Sequence, residues 1–378
     1  MIMAITADLH LNNSVYGVMD KDTGLPIRTV DSLKALSFFV DSCIEKKIDR
    51  AVIAGDVYDT HAPVNTVQRL FNRQVQKLVA AKIQVVIMVG NHDTCDNHHA
   101  LMPSEGWNKL VKVVDKEIVE ITPTYSCIYV PHTIDVQRGV KTFPQIVNSV
   151  VQDRTALTGP VVFFGHFAVN GSVSNDYHVH SSRTDAALSD ILATGAQVAF
   201  LGHFHKFQRL ECDIPAYYVG SLERHNMTDT STERGFTIFN TETMEIDRVL
   251  YTGYRPMKKI YSSSYDEAMK EITDGTDWTG YIARIDFAGE KTEYAEIKRR
   301  AGDLRREFKA RGGLHIYMQD VKYGDDEKTN QSGKVETIDQ LDIRSMINKN
   351  IEADFPEGEE RSIYLTMADS LWKEAVKV

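Results

Sequence analysis

The chain has 378 residues, enough to bury a large core and to divide into a main domain and smaller parts. With 42% apolar and 25% charged residues, its composition is that of an ordinary globular protein and excludes fibrous and disordered classes. A formal net charge of -10 excludes nucleic-acid binding through average charge, while leaving room for a local basic surface.

Residues 2–7 read as a buried strand that runs into Asp8-Leu9-His10, without the basic start and long apolar stretch of a signal peptide. Residues 12–26 are a loop rich in Asn, Gly and Asp. Residues 29–48 have helical spacing, with Leu33, Leu36, Phe39, Val40, Cys43 and Ile44 inward and Thr29 or Asp31 as cap. A short strand at 51–54 ends in Gly55-Asp56, and a second helix covers 64–81, with Val67, Leu70, Phe71, Val75, Leu78 and Val79 inward. The strand at 83–89 empties into Gly90-Asn91-His92-Asp93. This βαβ alternation predicts a largely parallel sheet, in which ligands gather beyond the carboxyl ends of the strands.

Past residue 97 the pattern changes to short strands at 111–114, 118–121 and 127–130, with a helix at 143–151. Strands at 161–164 and 198–201 end in Gly165-His166 and Gly202-His203-Phe204-His205, separated in part by a polar loop at 170–185. Alternating segments continue to about residue 252, including 216–219 and 236–239, and this half reads as a second sheet facing the first. A boundary is expected at Tyr254-Arg255-Pro256. Beyond it come a strand at 281–287, an amphipathic helix at 291–310 with Ile297, Ala301, Leu304 and Phe308 inward, and a returning strand at 314–321. Residues 323–334 are polar and charged like a linker, and the tail from 338 carries two expected helices, at 341–351 and 362–376, separated by Phe355-Pro356-Glu357-Gly358. No run approaches the ~18 apolar residues of a membrane span. Cys43, Cys95, Cys127 and Cys212 lack CxxC spacing and read as free thiols of a reducing compartment. A cytoplasmic protein is expected.

The strand-end motifs carry metal-ligand residue types. Asp-x-His and His-x-His each place two ligands on one side, because side chains alternate along an extended chain. Asp8, His10, Asp56, Asn91, His166, His203 and His205 supply seven side chains. If Asp56 bridges, two ions each receive about four protein ligands, with positions left for water and substrate. Such a set without thiolate suits manganese, iron or zinc. Paired ions about 4 Å apart hydrolyse phosphate esters, with His92 as partner of the leaving oxygen. Asp93 is expected to orient His92 or the turn.

These residues resemble the calcineurin-like metallophosphoesterase superfamily, whose pattern is Asp-x-His, Gly-Asp, Gly-Asn-His, His, Gly-His-x-His. Within it the chain is similar to the SbcD branch, the nuclease half of the SbcC–SbcD recombination complex and its relatives. The stretches that carry this are Gly55-Asp56-Val57-Tyr58-Asp59-Thr60, Gly165-His166-Phe167-Ala168-Val169-Asn170-Gly171, Gly220-Ser221-Leu222-Glu223 and Glu233-Arg234-Gly235-Phe236. The resemblance implies a four-layer α/β/β/α sandwich at 1–254, a smaller α+β capping, DNA-binding domain at 255–322, a linker at 323–337, and a helical tail at 338–378. It also implies one metal on Asp8, His10, Asp56 and His205, and a second on Asp56, Asn91, His166 and His203, most often both manganese. His92 and Asp59 become the expected catalytic positions, Asp59 standing where many relatives carry a second catalytic histidine. His61 could substitute there, although a surface role is the better reading.

The implied activity is exonuclease on duplex DNA and endonuclease on single strands, for recombination, repair or replication in a bacterial cell or phage-infected host. The implied partners are DNA, an SbcC-like ATPase with a coiled coil, and a second copy of the chain. Lys298, Arg299, Arg305 and Arg306, in the most basic stretch, either hold DNA phosphates or form a charged solvent face. His178 and His180 read as a solvated loop, and the tail helices either dock on the ATPase or pack on the chain. The competing functions are a phosphatase or phosphodiesterase on a non-DNA substrate, and a non-catalytic scaffold of the same fold.

Overall fold

Apolar strands alternating with amphipathic helices build the first half of the molecule. In this computed structural model β1 (Ile2–Thr6), α1 (Ile27–Glu45), β2 (Arg50–Ala54), α2 (Asn65–Ala80) and β3 (Gln84–Met88) follow one another. A small hairpin, β4 (Thr94–Cys95) and β5 (His98–His99), precedes β6 (Val111–Val114), β7 (Ile118–Ile121) and β8 (Ser126–Val130). Then come α3 (Ile134–Gln137), α4 (Phe143–Val150), β9 (Val161–His166), α5 (Leu188–Leu192), β10 (Val198–Gly202), β11 (Gln208–Arg209) and β12 (Ala216–Tyr218). The chain continues through β13 (Arg234–Asn240), β14 (Ile246–Tyr251), β15 (Met257–Ser262), α6 (Tyr265–Thr273), β16 (Ile282–Phe287), α7 (Lys291–Arg299), α8 (Ala301–Ala310) and β17 (His315–Asp320). The structure describes residues 1–320 except 96–97, 102–107, 133, 152–153, 174–178, 180–184 and 232. The expected linker and tail helices, and His178 and His180, lie outside the described residues.

Two six-stranded sheets form, in the orders β14-β13-β1-β2-β3-β6 and β11-β12-β10-β9-β8-β7. In the first, β1, β2, β3 and β6 are parallel and β13 lies antiparallel to β1. In the second, β8, β9, β10 and β12 are parallel. The expected division by chain half is therefore corrected: β6, β13 and β14 join the first sheet. Their apolar alternation fits either sheet, and only the pairing decides between them.

The sheets face each other across a core that includes Ile5, Val52, Met88, Cys127, Phe164 and Phe200. Helices α1 and α2 cover the outer face of the first sheet through Leu36, Phe39, Phe71 and Val75. Helices α4 and α5 cover the second through Ile146, Val147 and Ile191. The result is the four-layer α/β/β/α arrangement, and burial on both faces explains why the central strands read as continuous apolar runs. Ile44 departs from expectation: it is exposed at the end of α1. Cys43, Cys95, Cys127 and Cys212 are all free, and no described helix is long and apolar enough to cross a membrane.

Beyond Tyr254 a third sheet of order β15-β16-β17 packs on α6, α7 and α8 around Trp278, Phe287, Leu304 and Phe308. This unit is larger than the expected strand, helix, strand, because β15 and α6 were not read from the sequence. The single helix expected at 291–310 is two, broken at Arg300, whose guanidinium lies over the Tyr265 ring at 3.5 Å. Residues Met1–Gln319 form one compact unit.

A buried charge network joins this third sheet to α1. Helix α1 starts after Pro26, so neither Thr29 nor Asp31 is its cap. Thr29 donates to the Asn13 carbonyl, and Asp31 pairs with Arg28 at 2.6 Å and with both Nε and Nη2 of Arg255. Arg28 also meets Glu223 at 3.3 Å, and Arg255 donates to the Gly280 carbonyl. Breaking such a buried pair leaves an uncompensated charge and costs about 3–5 kcal/mol. Arg28→Ala should therefore lower the thermal midpoint by many degrees, whereas Arg306→Ala, an exposed cation, should leave it within error. Equal midpoints for the two variants in a calorimetric scan would contradict the network's role.

Candidate metal centre

The five polar motifs all leave the carboxyl ends of strands. Asp8 and His10 follow β1, Asp56 follows β2, and Asn91 and His92 follow β3. His166 is the last residue of β9, and His203 and His205 follow β10. Because the sheets are stacked face to face, these ends share one rim. Backbone bonds zip the first two loops together, from Asp8 N to Gly55 O, His10 N to Asp56 O and Leu11 N to Val57 O, at 2.9–3.1 Å. The turns are sharp: Asp8, His10, Asp56 and His203 all have positive φ, which ordinary residues seldom adopt and which concentrates at functional sites.

The seven expected ligands converge. His10 Nε2 faces His205 Nε2 at 3.1 Å and lies 3.8 Å from Asp56 Oδ2. On the other side Asp56 Oδ2 is 3.3 Å from His166 Nε2. Asn91 Oδ1 sits 3.2 Å from that same nitrogen and 3.0 Å from His203 Nδ1. The Asp8 carboxylate accepts from the His203 backbone N–H at 2.9 Å. Asp8, His10 and Asp56 form one group able to hold an ion, and Asp56, His166 and His203 form another. Asp56 is common to both. Gly55 and Gly90 permit this closeness: a Cβ at Gly55 would fall 2.1 Å from His166 Nδ1, and one at Gly90 would fall 2.1 Å from Asp56 Oδ1.

The donor set fits divalent cations. Three of the facing imidazoles, those of His10, His166 and His205, have an outer partner on the other ring nitrogen, the arrangement that orients metal-binding histidines. His10 Nδ1 meets Asp59 at 3.0 Å, His166 Nδ1 meets the Ala54 carbonyl at 2.7 Å, and His205 Nδ1 meets Asp229 at 3.4 Å. Oxygen and imidazole donors without thiolate suit a first-row divalent ion.

Electrostatics follow from this crowding. Burial works against a charge on His10 and His166, but Asp59 and Asp56 outweigh it at His10, Asp56 does so at His166, and both rise to about 9. His203 is pushed down to about 3 by burial and by His166. Burial would raise Asp56, yet His166 and His10 hold it below the ordinary carboxylate range.

Asp59 and His92 form with His10 a third group able to hold an ion, at the exposed edge of the cluster. The Asp59 carboxylate braces His10, so its contact is with a ligand. His92 is exposed, with its backbone N–H donating to Asp56 Oδ1 at 2.9 Å and its Nδ1 3.3 Å from the Asp59 carbonyl. Asp93, left open between two roles, holds the turn: its buried carboxylate accepts from the backbone N–H groups of Val57, Tyr58 and Gly90. His61 is exposed. Lys298, Arg299, Arg305 and Arg306 lie on α7 and α8, where Arg299 pairs with Glu296, Arg306 with Asp303, and Lys298 sits over the Tyr294 ring.

Two residues, His225 and Asp229, were missed by sequence reasoning, and Arg234 was read only as part of a motif. His225 is buried against the rings of His10 and His205, at 4.7 and 4.8 Å, and its Nε2 donates to the Asp8 carbonyl at 2.8 Å. Asp229 accepts from the His225 backbone and pairs with Arg234, which also donates to the His205 carbonyl. None follows a strand-end glycine, the signal that exposed the ligands. Their only cue is a cluster of polar residues between β12 and β13.

A model of the calcineurin-like phosphoesterase family matches residues 1–207, and the chain belongs to that family. It is 20% identical over 293 residues to the "Uncharacterized metallophosphoesterase YhaO" of Bacillus subtilis, covering 74% of this chain and 65% of that relative. It is 22% identical over 288 residues to the SbcCD nuclease (SbcD subunit) of Staphylococcus saprophyticus, covering 70% of this chain and 73% of that one. A shorter match, 26% identical over 137 residues, joins it to the "DNA double-strand break repair protein Mre11" of Sulfurisphaera tokodaii, covering 34% of this chain and 35% of the relative.

Two outcomes are expected of the centre. An imidazole ligates only when neutral, so ion uptake at pH 7 should displace protons from His10 and His166. Affinity should then climb with pH and level off above about 9, with up to about two protons released per loaded protein. Titration calorimetry in buffers of different ionisation heat measures that release, and a pH-independent affinity would contradict it. Removing an outer partner of a ligand typically costs about 10- to 100-fold in metal affinity. Asp229→Ala should show a loss of that size in manganese binding, read by equilibrium dialysis.

Proposed function

We propose that this phosphoesterase is a metal-dependent DNA nuclease, cleaving phosphodiesters as a double-strand exonuclease and single-strand endonuclease beside an SbcC-like ATPase. One observation carries the chemistry: five side chains form two groups that share Asp56, with His205 against His10, Asn91 against His166 and His203, and an exposed histidine beside them. The DNA substrate is supported by the names of two relatives, the SbcCD nuclease and the "DNA double-strand break repair protein Mre11", and the ATPase partner by the SbcD-like motifs of the sequence. Asp8, His10, Asp56 and His205 would hold one ion, and Asp56, Asn91, His166 and His203 the other, most suitably manganese. Bound there, a pair of divalent ions neutralises phosphate oxygens and lowers the pKa of an attacking water.

The chain's own residues supply the rest. Buried carboxylates and imidazoles fix the ligand positions before substrate arrives. His92 is exposed beside the centre, its backbone N–H held by Asp56. With Nδ1–H directed to the Asp59 carbonyl, a protonated His92 has its Nε2–H free to pass to the leaving oxygen. Asp59 acts through His10 in this reading, as a positioning residue. Two of the four basic residues expected to meet DNA, Arg299 and Arg306, already pair with carboxylates, which favours the competing reading, a phosphodiesterase on small substrates.

Replacing His92 by Ala should lower manganese-dependent cleavage of labelled duplex and hairpin DNA by at least about 100-fold while leaving manganese affinity nearly unchanged. Full cleavage by that variant would remove His92 from the mechanism. Rapid turnover of small phosphoesters with no DNA cleavage, alone or with the ATPase, would select the competing reading.

A further inference from the structure

A cavity of about 610 Å³ opens at the carboxyl ends of β3, β6 and β8. Its walls include Val89 and Thr94, which flank the turn that carries Asn91 and His92. Two hydrogen bonds tie it to that turn: His132 N–H donates to the Val89 carbonyl at 2.9 Å, and Thr94 Oγ1 donates to the Gly90 carbonyl at 2.8 Å. The His132 imidazole also acts electrostatically on His203, a member of the second ligand group. The cavity thus borders the turn that carries Asn91 and His92.

Its lining is mixed in charge. Asp115, Lys116 and Glu117 come from the β6–β7 turn, His98 from β5, and Asp135 and Lys141 from the segment after β8. Lys141 is neutralised by Asp135 at 3.0 Å. A phosphate dianion would meet the carboxylates of Asp115 and Glu117 and is disfavoured here. A neutral planar group bearing N–H donors is favoured: the carboxylates can accept from ring or exocyclic N–H groups of a base, and imidazole faces can stack on a ring. The volume falls in the range of small-ligand pockets. A dinucleotide with its phosphate at the ligand cluster carries one nucleoside on each side, and one of them must lie within reach of Asn91.

We propose that this cavity receives the base and sugar adjoining the scissile phosphate and so selects nucleoside-bearing phosphoesters. The proposal rests on the nuclease reading of the same centre. It assigns His98 to stacking and Asp115 to hydrogen bonding with the base.

The full chain with manganese can be compared on two chromogenic diesters, thymidine 5′-(p-nitrophenyl phosphate) and bis(p-nitrophenyl) phosphate. The first carries a nucleoside and the second does not. The wild type is expected to prefer the nucleoside ester in kcat/KM by at least about tenfold, the scale of one base stack. His98→Ala and Asp115→Asn should each bring that preference toward unity, with turnover of the bis ester unchanged. Should one of these variants lose turnover of both esters, the other carries the same comparison. A preference absent from the wild type, or unchanged in the variants, overturns the cavity's role. Turnover of both esters without cleavage of DNA overturns the nuclease reading alone, since the ratio still reports on the cavity.

Discussion

The Asp56 carboxylate lies between two sets of imidazoles, and much of the molecule serves to keep it there. Burying Asp8, Asp56, His10 and His166 together removes each from water, a cost that only mutual charge compensation offsets. Asp56 stays ionised because His166 and His10 surround it, while Asp59 and Asp56 favour a proton on His10 and Asp56 favours one on His166. This balance exists only if two sheets stack with their strand ends in register along one rim. The positive φ of Asp8, His10, Asp56 and His203 is the local strain of that arrangement, tolerated because zipped backbone bonds determine the loops from both sides.

The third sheet is bound to this rim by directional bonds. Arg255 grips Asp31 of α1, Asp31 grips Arg28, and Arg28 reaches Glu223 and the Arg224 carbonyl. From there the 221–234 segment turns back to the centre. Ser221 donates to the Glu223 carbonyl, Arg234 donates to Ser221 Oγ, and the same guanidinium reaches the His205 carbonyl and Asp229. One chain of polar contacts thus connects the strand after Tyr254 to the backbone of His205. A shift of the third sheet would strain this chain before disturbing any apolar core, because buried hydrogen bonds tolerate little displacement.

What was legible in the sequence was whatever had a period or a punctuating residue. The apolar strands, the faces of α1 and α2, and the glycine before Asp56, Asn91, His166 and His203 all gave local signals, and the ligands they mark come together. What was illegible depended on pairing at a distance. Val111–Val114 and Arg234–Asn240 alternate like strands of either sheet, and only their partners β3 and β1 assign them to the first. Arg300 sits in a continuous helical pattern, yet its stacking on Tyr265, far away in sequence, accompanies the break between α7 and α8. His225 and Asp229 touch His10 and His205 across a loop with no periodicity, so their chemistry is set by tertiary contact alone.

The stretch Gly90-Asn91-His92-Asp93 shows how adjacent residues come to opposite uses. Gly90 has no side chain because Asp56 occupies the space a Cβ would need. Asn91 turns inward between His166 and His203. Asp93 is wholly buried, and its carboxylate closes the turn by accepting three backbone N–H groups of two loops. Burial, followed by the Asp56 charge, pushes it up to about 6 even against those three bonds. His92 alone faces solvent. A ligand cluster gains from burial, which fixes geometry and strengthens attraction. A group that hands a proton to a leaving oxygen must be reachable by substrate. One tight turn, clamped by Asp93, meets both demands by placing Asn91 in the cluster and the next side chain outside it.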